Sequence, residues 1–289
     1  MKYIFLVNSF TLKADINKLI HNIKEYCNKE KIDFEIEINN ESNSTEDILK
    51  KYKKTRNIIF SIGGDGTLNR IVNAVANTNN IVGVIPYGTG NDFYRTMKIQ
   101  FKKGINECDL VKINDKYFIN TACFGIDAEI AHNKETITSP LIPRGQRYNA
   151  AIVKTFFKYR PKHFKLEVNG KTIEEDLATV IICNGCYYGH GYNVGVNSKL
   201  NNDSVDIYLV HHLNRVALAK LILKMKNGHH ESDKNITKIE ANKLTIKVGE
   251  KVKSNIDGEM LEDDKFKIEV LHKKMEIFYD EKLIKAIKK

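Results

Sequence analysis

Two glycine-rich stretches hold the residues best suited to chemistry: Gly63-Gly64-Asp65-Gly66-Thr67 and, one strand later, Gly88-Thr89-Gly90-Asn91-Asp92. Each follows an apolar run, Ile58–Ile62 or Ile81–Ile85, and each leads into a helical pattern. A chain that turns directly from strand into helix passes through positive φ, and a phosphate approaches the backbone only where no Cβ intervenes. The amides that open the next helix then face the anion, aided by the helix dipole. A carboxylate beside bare phosphate would repel it, so Asp65 makes sense with a magnesium ion between the two. Short strand-to-helix loops rarely need so many glycines. Two such turns at the ends of neighbouring strands predict a phosphate cradle with a carboxylate-held magnesium, the equipment of an ATP-dependent kinase.

A third constellation lies far downstream, in Asn255-Ile256-Asp257-Gly258-Glu259. Two carboxylates there flank a glycine turn. If that turn faces the first two, Glu259 takes the proton of an acceptor hydroxyl, completing a reaction governed by positioning and electrostatics. The other reading is an Asp-Gly hairpin turn. The five cysteines, at 27, 108, 123, 183 and 186, are odd in number and irregularly spaced, which fits reduced thiols. Cys183 and Cys186 end a strand, and no second pair completes four zinc ligands. The adjacent histidines His211-His212 and His229-His230 point apart on an extended chain.

The elements that must position these residues follow from periodicity. Tyr3–Val7, Phe34–Ile38, Ile58–Ile62 and Ile81–Ile85 read as strands; Ile16, Leu19, Ile20 and Ile23 mark a helix. Thr45–Lys54 reads as a helix capped by Thr45, and Thr67–Ala76 as another. This is the alternation of a parallel, doubly wound sheet. From about residue 110 strands dominate: Asp109–Ile113, Lys116–Ala122, Phe164–Val168, Lys171–Glu174, Ala178–Cys183 and Val205–Val210. Leu244–Val248, Lys251–Ile256 and Phe266–Val270 follow, with hairpin signals at Asn169-Gly170 and Gly249-Glu250. Helices are expected near Tyr148–Lys158, over Asn214–Lys226 and over Asp280–Lys289. The resulting organisation is α/β plus mostly β: a nucleotide-binding domain over 1–113 and a β-rich domain over 114–274.

The chain of 289 residues has 46 basic and 36 acidic side chains, a formal charge of +10. Such a balance suits a partner of negative charge, whether nucleotide, nucleic acid or anionic membrane. Arg144, Arg147, Lys154, Lys158, Arg160, Lys162 and Lys165 cluster without an intervening acid. They read either as a solvated face or as a membrane-facing patch. No recognised nucleic-acid motif accompanies the charge, so no nucleic-acid partner is expected. Met1–Val7 is too short for a signal peptide, and no apolar run approaches the roughly 20 residues of a membrane span. A cytoplasmic protein is expected, peripheral at the inner membrane surface; a homodimer is compatible with the sequence.

These residues resemble the diacylglycerol kinase catalytic family, in particular the soluble bacterial lipid kinases related to diacylglycerol and sphingosine kinases. The two glycine stretches match its nucleotide-binding motifs. Phe118-Ile119-Asn120, Gly125-Ile126-Asp127-Ala128, Asn184 through Gly191, Asp206 and Asp257-Gly258-Glu259 follow in the family's order. The resemblance implies an NAD kinase-like nucleotide domain and a C-terminal β-sandwich, with residues 275–289 returning to the first domain. It implies that ATP is the co-substrate, bordered by Asn8, Gly63, Gly64, Gly66, Thr67, Gly88, Thr89, Gly90, Asn91 and Asp92. It implies a hydrated magnesium network on Asp65 and Asp109 that reaches Glu259 as general base, and a lipid alcohol as acceptor. The chain departs from the pattern three times. The segment between Asp92 and Asp109 is short. The first strand ends in Asn8-Ser9-Phe10-Thr11-Leu12 where the family has Asn-Pro and a glycine. The structural-metal turn reads Asn202-Asp203-Ser204-Val205-Asp206, with an amide in the first acid's place. Asp206 remains as a metal-side residue, but an amide weakens a hard-cation site, and partial or absent binding is expected there.

Two other readings stay open. An NAD kinase-like nucleotide kinase shares the first glycine turn, although Gly88-Thr89-Gly90-Asn91-Asp92 speaks against it. A non-catalytic nucleotide or lipid sensor on the same fold is the other, since fold alone does not fix function.

Overall fold

The computed structural model describes residues 1–8, 16–39, 44–126, 128–130, 132, 155 and 159–289. They form two compact units, Met1–Cys108 with Lys273–Lys289, and Asp109–His272. Several expectations lie outside the described residues: the Ser9–Leu12 loop, the helix near Tyr148–Lys158, the basic residues Arg144, Arg147, Lys154 and Lys158, and Asp127.

In the first unit, β1 (Tyr3–Asn8), β2 (Phe34–Asn39), β3 (Ile58–Gly63), β4 (Ile81–Pro86) and the end of β13 (Glu259–Tyr279) form a parallel sheet. Its order is β2-β1-β3-β4-β13. β3 and β4 are buried along their whole length, as parallel strands covered on both faces must be. Phe5 and Phe60 stack with ring centroids 4.7 Å apart. Gly83 leaves room for that stack, since a Cβ there would meet Phe60 at 2.5 Å.

The helices of this unit are α1 (Ile16–Lys29), α2 (Thr45–Leu49, continued by a 3-10 turn over Lys50–Tyr52), α3 (Asp65–Val75), α4 (Asp92–Gln100) and the C-terminal α6 (Glu281–Ile287). α1 packs with α6, and α2 with α3. The cap of α2 is Ser44 rather than Thr45: the Ser44 hydroxyl accepts from the Asp47 amide at 3.1 Å. Thr45 is buried, and its hydroxyl accepts from Asn39 at 3.0 Å. α3 starts at Asp65, two residues earlier than its periodicity suggests, which brings the aspartate into the first helical turn. The strand order runs outward in opposite senses from the β1–β3 pair. Open α/β sheets bind ligands beyond the carboxyl ends of the strands at such a switch point.

The second unit is antiparallel. β7 (Thr121–Gly125), β8 (Lys162–Val168), β9 (Lys171–Cys183), β10 (Val205–His211), β11 (Ile236–Ala241), β12 (Lys243–Ile256) and the first part of β13 pair in the order β11-β10-β9-β7-β12-β13. β8 joins both β9 and β12. The last residues of β5 (Gly104–Ile113) pair with β6 (Lys116–Phe118). Alternation along β9 and β10 splits the apolar residues between two cores. Val180, Ile182, Ile207 and Leu209 join Phe124, Phe164 and Phe266 in one. Ile181, Cys183, Tyr208 and Val210 join Leu221 and Met225 of α5 (Arg215–Lys226) in the other.

Several strands differ from their sequence-based limits. The expected strand over Lys116–Ala122 is broken between β6 and β7, because the amides of Ile119, Asn120 and Thr121 turn to the Asp257 carboxylate. Lys171–Glu174 and Ala178–Cys183 are one strand, β9. Gly249-Glu250 is no hairpin: β12 runs through it, and the irregularity is a shift of register between Lys247 and Val252. Asn169-Gly170 is a hairpin, with φ of 50° and 71° at its two residues, the pair of positive angles a tight hairpin turn requires. β11 is an addition that periodicity did not reveal.

Candidate functional site

The two glycine turns meet backbone to backbone. β3 and β4 are parallel neighbours in a register that sets Gly63 opposite Pro86, so both turns leave the same end of the sheet. The amides of Tyr87 and Gly88 both donate to the Gly63 carbonyl, at 2.9 and 3.0 Å. A Cβ on Gly88 would lie 2.3 Å from the Gly64 Cα, closer than any side chain permits. Gly63 is confined by the helix it precedes, since a Cβ there would lie 2.6 Å from Thr67 Oγ1. The same hydroxyl accepts from Asn8 Nδ2 at 3.1 Å, which ties the end of β1 to the first turn of α3.

Asp65 joins the two turns chemically. Its carboxylate accepts the amides of Asp92 and Phe93 at 3.1 and 3.2 Å, so the first turn's acid caps the second turn's helix. α4 has no side-chain cap of its own; Asn91 precedes it in the left-handed region, with φ 55°. The Asn91 amide group closes its own loop instead, accepting from Gly88 N at 3.0 Å and donating to Gly88 O at 2.6 Å. Asp92 is buried, with Arg95 Nε 3.6 Å from Oδ1. Gly90 shows how near the two acids stand: a Cβ there would lie 2.9 Å from Asp65 Oδ2 and 3.6 Å from Asp92 Oδ2. Burial raises the Asp65 carboxyl above the ordinary carboxylate range, against the pull of the amides it accepts. A divalent cation relieves such a pair, and the carboxylate oxygens of Asp65 and Asp92 are of the hard kind that suits magnesium. Thr89 is the exposed member of the second turn.

The acids of the second unit are held by other means. Asp109 is fully buried; Oδ1 lies 2.9 Å from His272 Nδ1 and Oδ2 accepts the Asp203 amide at 2.8 Å. A carboxylate only accepts, so the proton of that ring contact sits on Nδ1. Asp257 caps three successive amides, Ile119 at 2.7 Å, Asn120 at 3.1 Å and Thr121 at 2.7 Å. Asp257 and Gly258 have φ of 50° and 93°, so the turn is the Asp-Gly hairpin that joins β12 to β13. Glu259 is the first residue after it, paired with Ile256 and half-buried. Asn255 Oδ1 accepts the Gly258 amide at 3.2 Å. The hairpin is thus seated from within and from the β6–β7 break, and Glu259 is carried on that seat. Asn184, just after β9, binds the same region, donating to the carbonyls of Asp109 and Ile119 at 3.2 and 2.6 Å.

Sequence reasoning named Asp257 as a second carboxylate but not as the anchor it is. His272 carried no signal at all, standing alone in β13 far from Asp109 in the chain. Asp206, the residue implied for a structural metal, is engaged by protein groups. Its carboxylate accepts the Ser198 hydroxyl at 2.6 Å and pairs with Lys238 Nζ at 3.3 Å. Among the described residues, no group of three or more His, Cys, Asp or Glu is spaced to hold a metal ion.

Comparison with known proteins adds the lineage. Residues 2–117 match the model of the diacylglycerol kinase catalytic domain, and residues 120–279 that of the YegS C-terminal NAD kinase beta sandwich-like domain. The chain is 27% identical to the diacylglycerol kinase of Bacillus subtilis over 216 residues, 70% of this chain and 71% of that one. A crystal structure of a diacylglycerol kinase from Bacillus anthracis strain Sterne covers 98% of each chain at 20% identity, with a TM-score of 0.70. Another crystal structure from that strain, covering 98% of this chain and 96% of its own at 20% identity, reaches a TM-score of 0.78. At such identity these two likenesses speak for the fold.

Proposed function

From its membership of the diacylglycerol kinase catalytic family, to which the chain belongs, we propose that it transfers the γ-phosphoryl group of ATP to a hydroxyl of diacylglycerol or a related lipid alcohol. The reading rests above all on the backbone contact of the two glycine turns, with Asp65 of one capping the helix of the other. That contact makes a side-chain-poor stretch of backbone leading into α3 and α4, and backbone at the start of α3 is a setting that favours phosphate. Asn8 and Thr67 support its floor, and Asn91 holds its second loop closed.

Asp65 and Asp92 are the proposed holders of magnesium, which would supply positive charge against the phosphates of the nucleotide. The residues do the rest. Glu259 takes the proton of the acceptor hydroxyl as the oxygen bonds to the γ-phosphorus. The bond from that phosphorus to the β,γ-bridging oxygen breaks, and ADP leaves. Asp257 keeps Glu259 in place through the three amides it accepts.

The test is direct. Purified protein with magnesium and γ-labelled ATP, offered diacylglycerol in mixed micelles, should move label into lipid phosphate. A protein that binds ATP and yet labels no lipid hydroxyl across a panel of diacylglycerol, sphingoid base and other lipid alcohols overturns the proposal.

A further inference from the structure

The turn between Ser198 and β10 is where a structural divalent cation is implied, and its residues do not fit one. Two backbone carbonyls, Lys199 O and Ser204 O, converge on a single point beside Asn202. Hard cations are held by several oxygens, and carboxylates give most of the affinity. Here the converging oxygens are met by nitrogen. With its amide turned to satisfy its neighbours, Asn202 Nδ2 donates to Lys199 O at 2.8 Å and to Ser204 O at 3.1 Å. Its oxygen then faces the Ser204 hydroxyl at 2.9 Å. These are ordinary hydrogen-bond lengths. An amide has two N–H groups, one for each carbonyl.

The acid that could compensate is taken. Asp206 accepts from Ser198 and pairs with Lys238. The Lys238 ammonium also reaches Glu231 at 2.7 Å and stands 5.5 Å from the centre of the Tyr208 ring. Positive charge is therefore already supplied to this carboxylate from within the protein. The turn itself has a further duty: it grips Asp109. The Asp109 amide donates to Leu200 O at 2.6 Å, and the Asp203 amide, at φ 62°, donates to Asp109 Oδ2 at 2.8 Å.

We propose that the Asn202 side-chain amide takes the place of a divalent cation in this turn, so that the seat of Asp109 is built without metal. The ion's work of drawing two carbonyls together passes to two N–H donors, and its charge at Asp206 passes to Lys238. The proposal stands whether or not the protein transfers phosphate to a lipid.

Thermal unfolding of the whole, nucleotide-free chain tests it. In the Asp65→Asn background, the melting temperature of the chain with Asn202 intact should be unchanged between EDTA and millimolar calcium or magnesium. Asn202→Asp replaces the two donors by a carboxylate against two carbonyls. Its melting temperature should fall in EDTA and recover on adding calcium, by about 2–4 °C or more. Asn202→Ala should melt lower in every buffer with no cation response. Asp65→Asn separates the acid pair of the glycine turns from this turn. A wild-type loss in EDTA that persists in Asp65→Asn overturns the proposal, as does an Asn202→Asp variant indifferent to calcium. If Asn202→Asp does not fold, calcium content of the EDTA-stripped and recalcified Asp65→Asn protein decides: one bound ion per chain overturns the proposal, and none supports it.

Discussion

At the scale of single residues, the carboxylates separate by what they accept. Asp65 accepts two amides from a neighbouring helix and stands beside a second acid; Asp257 accepts three amides and is buried. The first arrangement leaves the group short of positive charge, and the second satisfies it. Glu259 and Asp257 should therefore fail differently. Glu259→Ala should lower kcat by about 10²–10⁴, the usual worth of a general base, with ATP affinity and melting temperature unchanged. Asp257→Asn turns an amide nitrogen toward backbone donors and should cost about 1–3 kcal/mol of stability, with a smaller loss of kcat. Parallel ATP titrations, unfolding curves and turnover numbers distinguish the two; equal losses of stability would remove the division of labour. Asp65 and Asp92 were legible in the sequence because glycine density marks a turn. The role of Asp257 was not, since its amides lie 136–138 residues away, and no local pattern encodes a partner at that distance. The pairing of His272 with Asp109 was hidden for the same reason.

At the scale of elements, the strands that were legible are those with a buried, apolar pattern and a clear stop. β1, β3 and β4 lie within a residue of their expected limits. β12 was misread because Gly249 mimics a turn signal, yet its φ is not in the positive region that a tight hairpin needs. β9 was split because its first half is charged and partly exposed while its second is wholly buried; the chain stays extended because β8 pairs with the first half and β7 and β10 with the second. Tertiary pairing overrode the local pattern in both cases. The meeting of the two glycine turns is the element-scale feature with a direct test. Gly88→Ala must push the loop off Gly64, where the added carbon would stand 2.3 Å from Cα. We expect at least a tenfold loss of ATP affinity and a stability loss of about 1–3 kcal/mol, the range for overpacking a tight site. Gly249→Ala is the control, because nothing lies within 4 Å of a carbon added there. Calorimetry of ATP binding to both variants decides; unaltered affinity in Gly88→Ala would mean the turn contact does not shape the nucleotide site.

At the scale of the molecule, charge is the property that the fold does not use up. The formal surplus of +10 is unevenly shared, and most of it falls in the unit made of Met1–Cys108 and Lys273–Lys289. Many lysines are engaged locally, as Lys51 is with Glu37 and Lys247 with Glu167. Such exposed pairs contribute little to stability. The excess acts instead through the field around the whole chain. No helix among the described residues is long and apolar enough to cross a membrane. A cationic protein gains roughly 1 kcal/mol per lysine or arginine held near an anionic bilayer, and the attraction fades over a Debye length. That length shrinks from about 10 Å at 0.1 M salt to about 3 Å at 1 M. Co-sedimentation with phosphatidylglycerol vesicles should therefore be strong at low salt, fall by at least tenfold at high salt, and be weak with phosphatidylcholine vesicles at any salt. If the lipid reading holds, phosphorylation of diacylglycerol in those vesicles should fall in parallel, while ATP binding measured without vesicles should weaken far less. Binding that ignores both salt and lipid charge would mean the surplus is only a solvated surface, and that the acceptor reaches the protein by another route.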